Sequence, residues 1–154
     1  MESDIEISAV DSNGQTVLHR LLLQQFEEHD IHVCPDDLKK AIAAVFYNEN
    51  LGFFLVAKKE DKVIGMAYVS FNWTLEHCGR SAWLEELYVI PEYRNRGVGQ
   101  NLLSSVIQQA RACGCVAIDL EVDQSHFQAE NLYRRAGFIQ LSRSRWVKHL
   151  SVKK

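Results

Sequence analysis

The chain has 154 residues, 47% of them hydrophobic and 24% charged, with a mean hydropathy of −0.18. That is a soluble composition, long enough to bury a core in one domain spanning residues 1–154. No apolar run approaches the roughly 20 residues of a membrane span, and the opening Met1-Glu2-Ser3-Asp4 is acidic where a secretory signal would be basic. The expectation is a cytoplasmic protein with no membrane partner. Net charge is −3 and the longest basic tract is Lys153-Lys154, so no nucleic-acid stripe is expected, and a cationic partner suits the chain better than an anionic one. Cys34, Cys78, Cys113 and Cys115 form no C-x-x-C pair, which argues against a metal or redox motif and predicts free thiols in or near the core.

Ile5 to Val10 alternates as a half-buried strand and runs into the turn Asp11-Ser12-Asn13-Gly14. Val17, Leu18, Leu21, Leu22, Gln25 and Phe26 then fall at helical spacing. A second helix is expected to start at Pro35, with Asp36 and Asp37 in its first turn and Leu38, Ile42, Val45 and Phe46 on its buried face. Gly52–Ala57 and Val63–Val69 read as a hairpin across the polar Lys58–Lys62 connection. A looser stretch, Asn72 to Gly79, precedes an apolar run from Ala82 to Ile90, which carries Glu85 and Glu86.

Pro91 ends that strand, and Gly97 to Cys113 is strongly amphipathic, with Val98, Leu102, Leu103, Val106, Ile107 and Ala110 on one face and Gly114 as its stop. Val116, Ile118, Leu120 and Val122 alternate as a strand. Ser125 with Gln128 is a capping-box signature for a fourth helix closed by Gly137, and Phe138 to Leu150 is expected to supply one or two final strands. The order is β-α-α-β-β-β-α-β-α-β. It predicts an α/β (α+β) fold: a mixed, mostly antiparallel central sheet flanked by four helices.

The Arg94-Asn95-Arg96-Gly97-Val98-Gly99 segment carries the chemistry. It lies between a strand and a helix, where glycines let backbone N–H groups approach a ligand. The positive end of the helix and the charges of Arg94 and Arg96 suit a pyrophosphate. The segment lacks the Gly-Lys-Ser/Thr of a Walker A loop, and Leu102 occupies the third glycine position of G-x-G-x-x-G.

Arg94-x-x-Gly97-x-Gly99 after Leu87-Tyr88-Val89-Ile90-Pro91 resembles the coenzyme A signature of the GNAT acetyltransferases. Ala129-x-x-Leu132-Tyr133-x-x-x-Gly137-Phe138 resembles that family's second motif. Trp83-Leu84-Glu85-Glu86-Leu87-Tyr88-Val89 is similar to the diamine and polyamine branch. The resemblance covers nearly the whole chain. It implies acetyl-CoA as co-substrate, no metal, a small amine acceptor and a homodimer to which the C-terminal strand with Trp146 contributes. It further implies pantetheine contacts from Leu87, Tyr88 and Val89. Pyrophosphate contacts would come from Arg94, Asn95, Arg96, Gly97, Val98, Gly99 and Gln100. His126 stands where the family often carries Asn, and its ring can still make one hydrogen bond.

Acetyl transfer to an amine needs a proton acceptor and a proton donor for the leaving thiolate. Tyr133 falls at the family's hydroxyl position and is the expected donor. Glu85 is the candidate base or the anchor of a base-activating water. In a regular strand Trp83, Glu85, Leu87 and Val89 would share one face, with Glu86 on the other; a bulge would change which carboxylate faces the cleft. Both glutamates could also simply face solvent or pair with arginine. His77 beside Cys78 reads as a surface loop pair, and Trp73, Trp83 and Trp146 as core or interface anchors. The rival acceptor is a lysine or N-terminal amine of a protein; the rival class is a non-catalytic acyl-CoA sensor.

Overall fold

A computed structural model describes residues 4–123 and 127–151. The chain divides into two compact units, Met1–Glu121 and Val122–Lys154. The first holds a five-stranded sheet of β1 (Ile5–Ala9), β2 (Gly52–Lys59), β3 (Lys62–Thr74), β4 (Gly79–Val89) and β5 (Ala117–Leu120), together with helices α1 (Gln15–Glu28), α2 (Pro35–Phe46) and α3 (Val98–Ala112). The strands lie in chain order. β1 to β4 are antiparallel, and β5 joins β4 in parallel. The mixed, mostly antiparallel sheet of the sequence reading is therefore present.

The helices form where the apolar spacing placed them. α1 buries Leu18, Leu21, Leu22 and Gln25, and α3 buries Val98, Leu102, Leu103, Val106 and Ala110. α2 starts on Pro35 at its first position, with Asp36 and Asp37 in the first turn, where the helix dipole favours them. The turn after β1 is a short 3-10 helix, Ser12–Gly14, capped by Asp11 Oδ1 accepting from the Asn13 N–H at 3.0 Å.

β3 alternates between two covered faces. At Gly65 an added Cβ would meet the Tyr88 carbonyl at 2.8 Å and Leu102 Cδ1 of α3 at 3.2 Å, so the bare backbone allows α3 to lie close against the sheet. Gly65, Ala67 and Val69 thus face α3. Tyr68, on the opposite face, stacks on Phe54 at 4.8 Å, and Phe54 stacks on Phe46 of α2 at 5.8 Å. Cross-strand partners share a face. The register pairs Met66 with Tyr88 and Tyr68 with Glu86, which places Tyr88 and Glu86 on the α1–α2 side.

Several expectations meet a different local structure. The stretch from Asn72 is no loop at first: Asn72, Trp73 and Thr74 continue β3, paired with Ser81, Arg80 and Gly79, so backbone pairing there overrides a polar sequence. Trp73 is 76% exposed and Trp146 89% exposed, so of the two roles expected for them, core or interface anchor, the core role falls away. Cys34 and Cys78 are exposed free thiols, while Cys113 and Cys115 are half-buried. His77 pairs with Asp119 of β5 at 2.8 Å and not with its neighbour Cys78.

The second unit contains α4 (Phe127–Arg135). It ends at Gly137 with the Phe138 N–H donating to the Tyr133 carbonyl at 3.0 Å, and the Tyr133 and Phe138 rings meet edge to face at 5.8 Å. The proposed cap Ser125 lies outside the described residues. The final strands expected over residues 138–150 are not formed. A strand needs a hydrogen-bonding neighbour; Ile139, Trp146, Val147 and Leu150 are instead exposed.

Candidate active site

β4 and β5 pair from Ser81–Ala117 to Leu84–Leu120 and no further. Beyond Leu84, β4 keeps β3 as neighbour on one side, and no strand among the described residues pairs with its other, open edge. The Ile90 N–H donates to the Ile64 carbonyl at 2.9 Å, so Ile90, Tyr88 and Glu86 direct their backbone groups to β3, and Leu87 and Val89 direct theirs to the open edge. An extended chain can add to such an edge as a strand does.

The loop after β4 leads straight from that edge. Pro91–Tyr93 is one 3-10 turn, Asn95 has φ +62°, and Gly97 caps α3 in the left-handed conformation at φ +84°, ψ +4°. That conformation is costly for residues other than Gly and Asn. The Asn101 N–H donates to the Gly97 carbonyl at 3.1 Å; the amides of Val98, Gly99 and Gln100 therefore precede the first intrahelical bond and point out of the helix end. Arg96 lies over the Tyr93 ring at 5.2 Å, with Lys59 and Lys62 over it at 5.8 and 5.6 Å. Dipole and cations together make this end of the sheet attractive to an anion.

Arg94 is held in place on the protein. Its Nε donates to the Val89 carbonyl at 2.8 Å, and its Nη2 donates to Glu28 Oε2 at 2.8 Å. The Tyr88 hydroxyl donates to the other oxygen, Glu28 Oε1, at 2.6 Å. Burial pushes the Glu28 carboxyl up, but the bonds from Tyr88 and the Arg94 charge outweigh it and hold the group below the usual range. Burial and Glu28 push the Tyr88 phenol up to about 12. Sequence reasoning missed Glu28; its place in the last turn of α1, three residues after the buried Gln25, was the available signal.

The two adjacent glutamates sit on an irregular strand. Tyr68 pairs with Glu86 and Val69 with Leu84, so Glu85 is the extra residue of a β-bulge. A regular strand would send Glu85 and Glu86 to opposite faces. Here Glu85 hydrogen-bonds the Tyr68 hydroxyl, whose pKa rises to about 12 through burial and the Glu85 charge. Glu86, on the face of Tyr68, hydrogen-bonds Gln25 of α1. Both carboxylates therefore reach the α1–α2 side. Glu85 is exposed and Glu86 half-buried. Burial and the adjacent Glu85 charge push the Glu86 carboxyl up to about 7, against the opposing Gln25 hydrogen bond. Gln25 is 8% exposed, and its Oε1 has no hydrogen-bond partner, a state that costs about 1–3 kcal/mol for a buried acceptor.

An open strand edge running into a glycine-started helix is matched by sequence. The family model described as the acetyltransferase (GNAT) family matches residues 16–138. The chain belongs to the acetyltransferase (GNAT) family. Within it, the chain is similar to a thialysine N-epsilon-acetyltransferase of Mus musculus, 35% identical over 81 residues, covering 52% of this chain and 45% of that enzyme. It spans less than half the length of that relative. An aminoalkylphosphonate N-acetyltransferase of Salmonella typhimurium is 28% identical over 112 residues, covering 73% and 71%. Among solved structures, an aminoglycoside N-acetyltransferase in complex with CoA shares the fold at a TM-score of 0.80 and 17% identity, covering 96% of this chain and 95% of that one.

On this GNAT chain, Leu87, Val89, Arg94, Asn95, Arg96, Gly97, Val98, Gly99 and Gln100 lie along the open edge and its following loop. Tyr88 directs its backbone to β3 and its hydroxyl to Glu28. Tyr133 is on α4 of the second unit. His126 lies outside the described residues. No helix among the described residues is long and apolar enough to cross a membrane, and no group of three metal-ligating side chains occurs among them.

Proposed function

We propose that this chain is a cytoplasmic enzyme, active as a homodimer, that moves an acetyl group from acetyl-CoA directly to a primary amine, with small diamine- or polyamine-like amines as the leading acceptors. The observation that carries the acceptor side is the pair Glu85–Glu86, brought by the bulge to one side of β4 next to its open edge. Two acidic side chains without a cationic partner of their own in the strand suit an ammonium group. A curated relative named for thialysine acetylation supports a lysine-sized amine.

The donor would lie along β4, with its pantetheine arm against the backbone of Leu87 and Val89 and its pyrophosphate at the amides from Asn95 through Gln100. The Val89 carbonyl already accepts from Arg94, which leaves the Val89 N–H and the Leu87 groups for the arm. Bound acetyl-CoA supplies the thioester carbonyl. The amine nitrogen forms the new C–N bond as the C–S bond breaks, the amine proton passes to a carboxylate, and the thiolate takes a proton from Tyr133.

Glu85 was the expected base, and its exposed position on the bulge suits capture of the ammonium. Glu86 is the better proton acceptor. An ordinary carboxyl lies about six pK units below a lysine-type amine, a gap of about 8 kcal/mol; at about 7 Glu86 narrows it to about 5 kcal/mol. Tyr133 keeps the role of acid on its motif position, and His126 that of a pantetheine contact.

Acetyl-CoA consumption across a panel of diamines, polyamines, lysine analogues and peptides tests the reading. Turnover confined to peptides would move the function to protein acetylation. Tight acetyl-CoA binding without acetylation of any amine would make the chain a sensor.

A further inference from the structure

Gln25 is the one side chain on the buried stripe of α1 that is polar, buried to 8% exposure and only half satisfied: its amide N–H serves Glu86, while Oε1 has no partner. One turn later, at the exposed end of the same helix, Glu28 serves Tyr88. Residues i and i+3 of the helix thus address residues i and i+2 of β4 on one face.

A primary amide and a carboxyl can form a ring of two hydrogen bonds. The amide N–H donates to one carboxyl oxygen in either protonation state. The amide oxygen gains a donor only when the carboxyl carries its proton. We propose that Gln25 is a positioning residue for Glu86, holding its carboxyl through the N–H when it is charged and accepting its O–H at Oε1 once it has taken a proton. The unmatched buried oxygen is then a waiting acceptor for the protonated state.

The groups facing Glu86 fit this role. On β4 the Glu85 charge opposes ionisation. On β3 the Tyr68 hydroxyl is already committed to Glu85. On α1, Glu28 is committed to Tyr88 and Arg94. Among the described residues named here, Gln25 is thereby the group left to serve both states of Glu86. This inference rests on the reading of Glu86 as proton acceptor, but the pairing itself can be observed in the ligand-free protein.

The test is an NMR titration of the full chain with 13C-labelled carboxyls and 15N-labelled glutamine side chains. The expected result is that the Glu86 carboxyl and the Gln25 side-chain amide move together with one midpoint near 7, and that the Gln25 transition vanishes in Glu86→Gln. A Glu86 transition with a flat Gln25 amide, or no Glu86 transition between pH 5 and 9, overturns the proposal. In Gln25→Met, kcat should fall about tenfold with the KM for acetyl-CoA unchanged; an equal loss in both would mark a merely structural role and also overturn it. A coupled titration in a protein that acetylates no amine would leave the pairing standing and remove the acetyltransfer reading instead.

Discussion

Arg94 Nη2 and Glu28 Oε2 meet at 2.8 Å across 66 residues of chain, joining the last turn of α1 to the first residue of the glycine loop. With the Tyr88 hydroxyl on the other carboxyl oxygen at 2.6 Å, Glu28 ties the helix to both β4 and the loop that follows it. The face that carries the glutamate pair and the end of the sheet that attracts anions are therefore mechanically linked.

Removing this link has a foreseeable cost. Glu28→Ala leaves a buried phenol and a guanidinium without their shared acceptor. The loss should be about 1–2 kcal/mol in urea unfolding, allowing for the partial exposure of both charged groups. Calorimetry should also find weaker acetyl-CoA binding, because Arg94 no longer steadies the loop. Unchanged values on both counts would reduce Glu28 to a surface group.

Glu86 makes stability depend on pH. Its folded pKa of about 7 lies above the ordinary 4.5, so the folded state binds the extra proton between these values. Its contribution is full below about 4.5 and disappears as pH rises through 7, a change on the order of 3 kcal/mol. Melting curves between pH 5 and 8 should show stability falling, and Glu86→Gln should flatten that slope.

The same group sets the direction of the rate profile. With Glu86 as proton acceptor, kcat/KM at saturating acetyl-CoA rises with pH through about 7 as the carboxyl ionises. In Glu86→Gln that limb should vanish and the rate drop by about 10²-fold or more. A limb that persists in this variant would return the base role to Glu85 or to water.

Tyr133→Phe removes a hydroxyl and little else. Turnover should fall while the KM for acetyl-CoA stays close to its original value. Steady-state kinetics giving normal turnover would end the assignment of Tyr133 as proton donor.

Gly97→Ala tests the loop itself. A side chain at φ +84° costs about 1–2 kcal/mol of strain, and the new methyl sits where backbone amides gather at the start of α3. Both thermal stability and acetyl-CoA affinity should decline; a variant that lost stability alone would place the pyrophosphate elsewhere.

What the sequence determined by itself is what neighbours in the chain can write. Helical spacing set α1, α2 and α3, alternation set most of the sheet, and Arg94 to Gly99 announced an anion site because strand, glycines and helix start follow one another directly. The C-terminal strands failed as a reading because alternation is necessary for a strand but a hydrogen-bonding neighbour is what makes one.

Only the tertiary structure decided how the two glutamates of β4 are placed. Local alternation separates Glu85 from Glu86. The β3–β4 register inserts a bulge between them and gathers both carboxylates on one side. Their distinct characters come from groups distant in sequence: Tyr68 for Glu85, Gln25 for Glu86. A carboxyl's pKa is set by the dielectric and charges packed around it. No run of neighbouring residues specifies these, so the glycine loop was legible from the sequence and the proton acceptor proposed here was not.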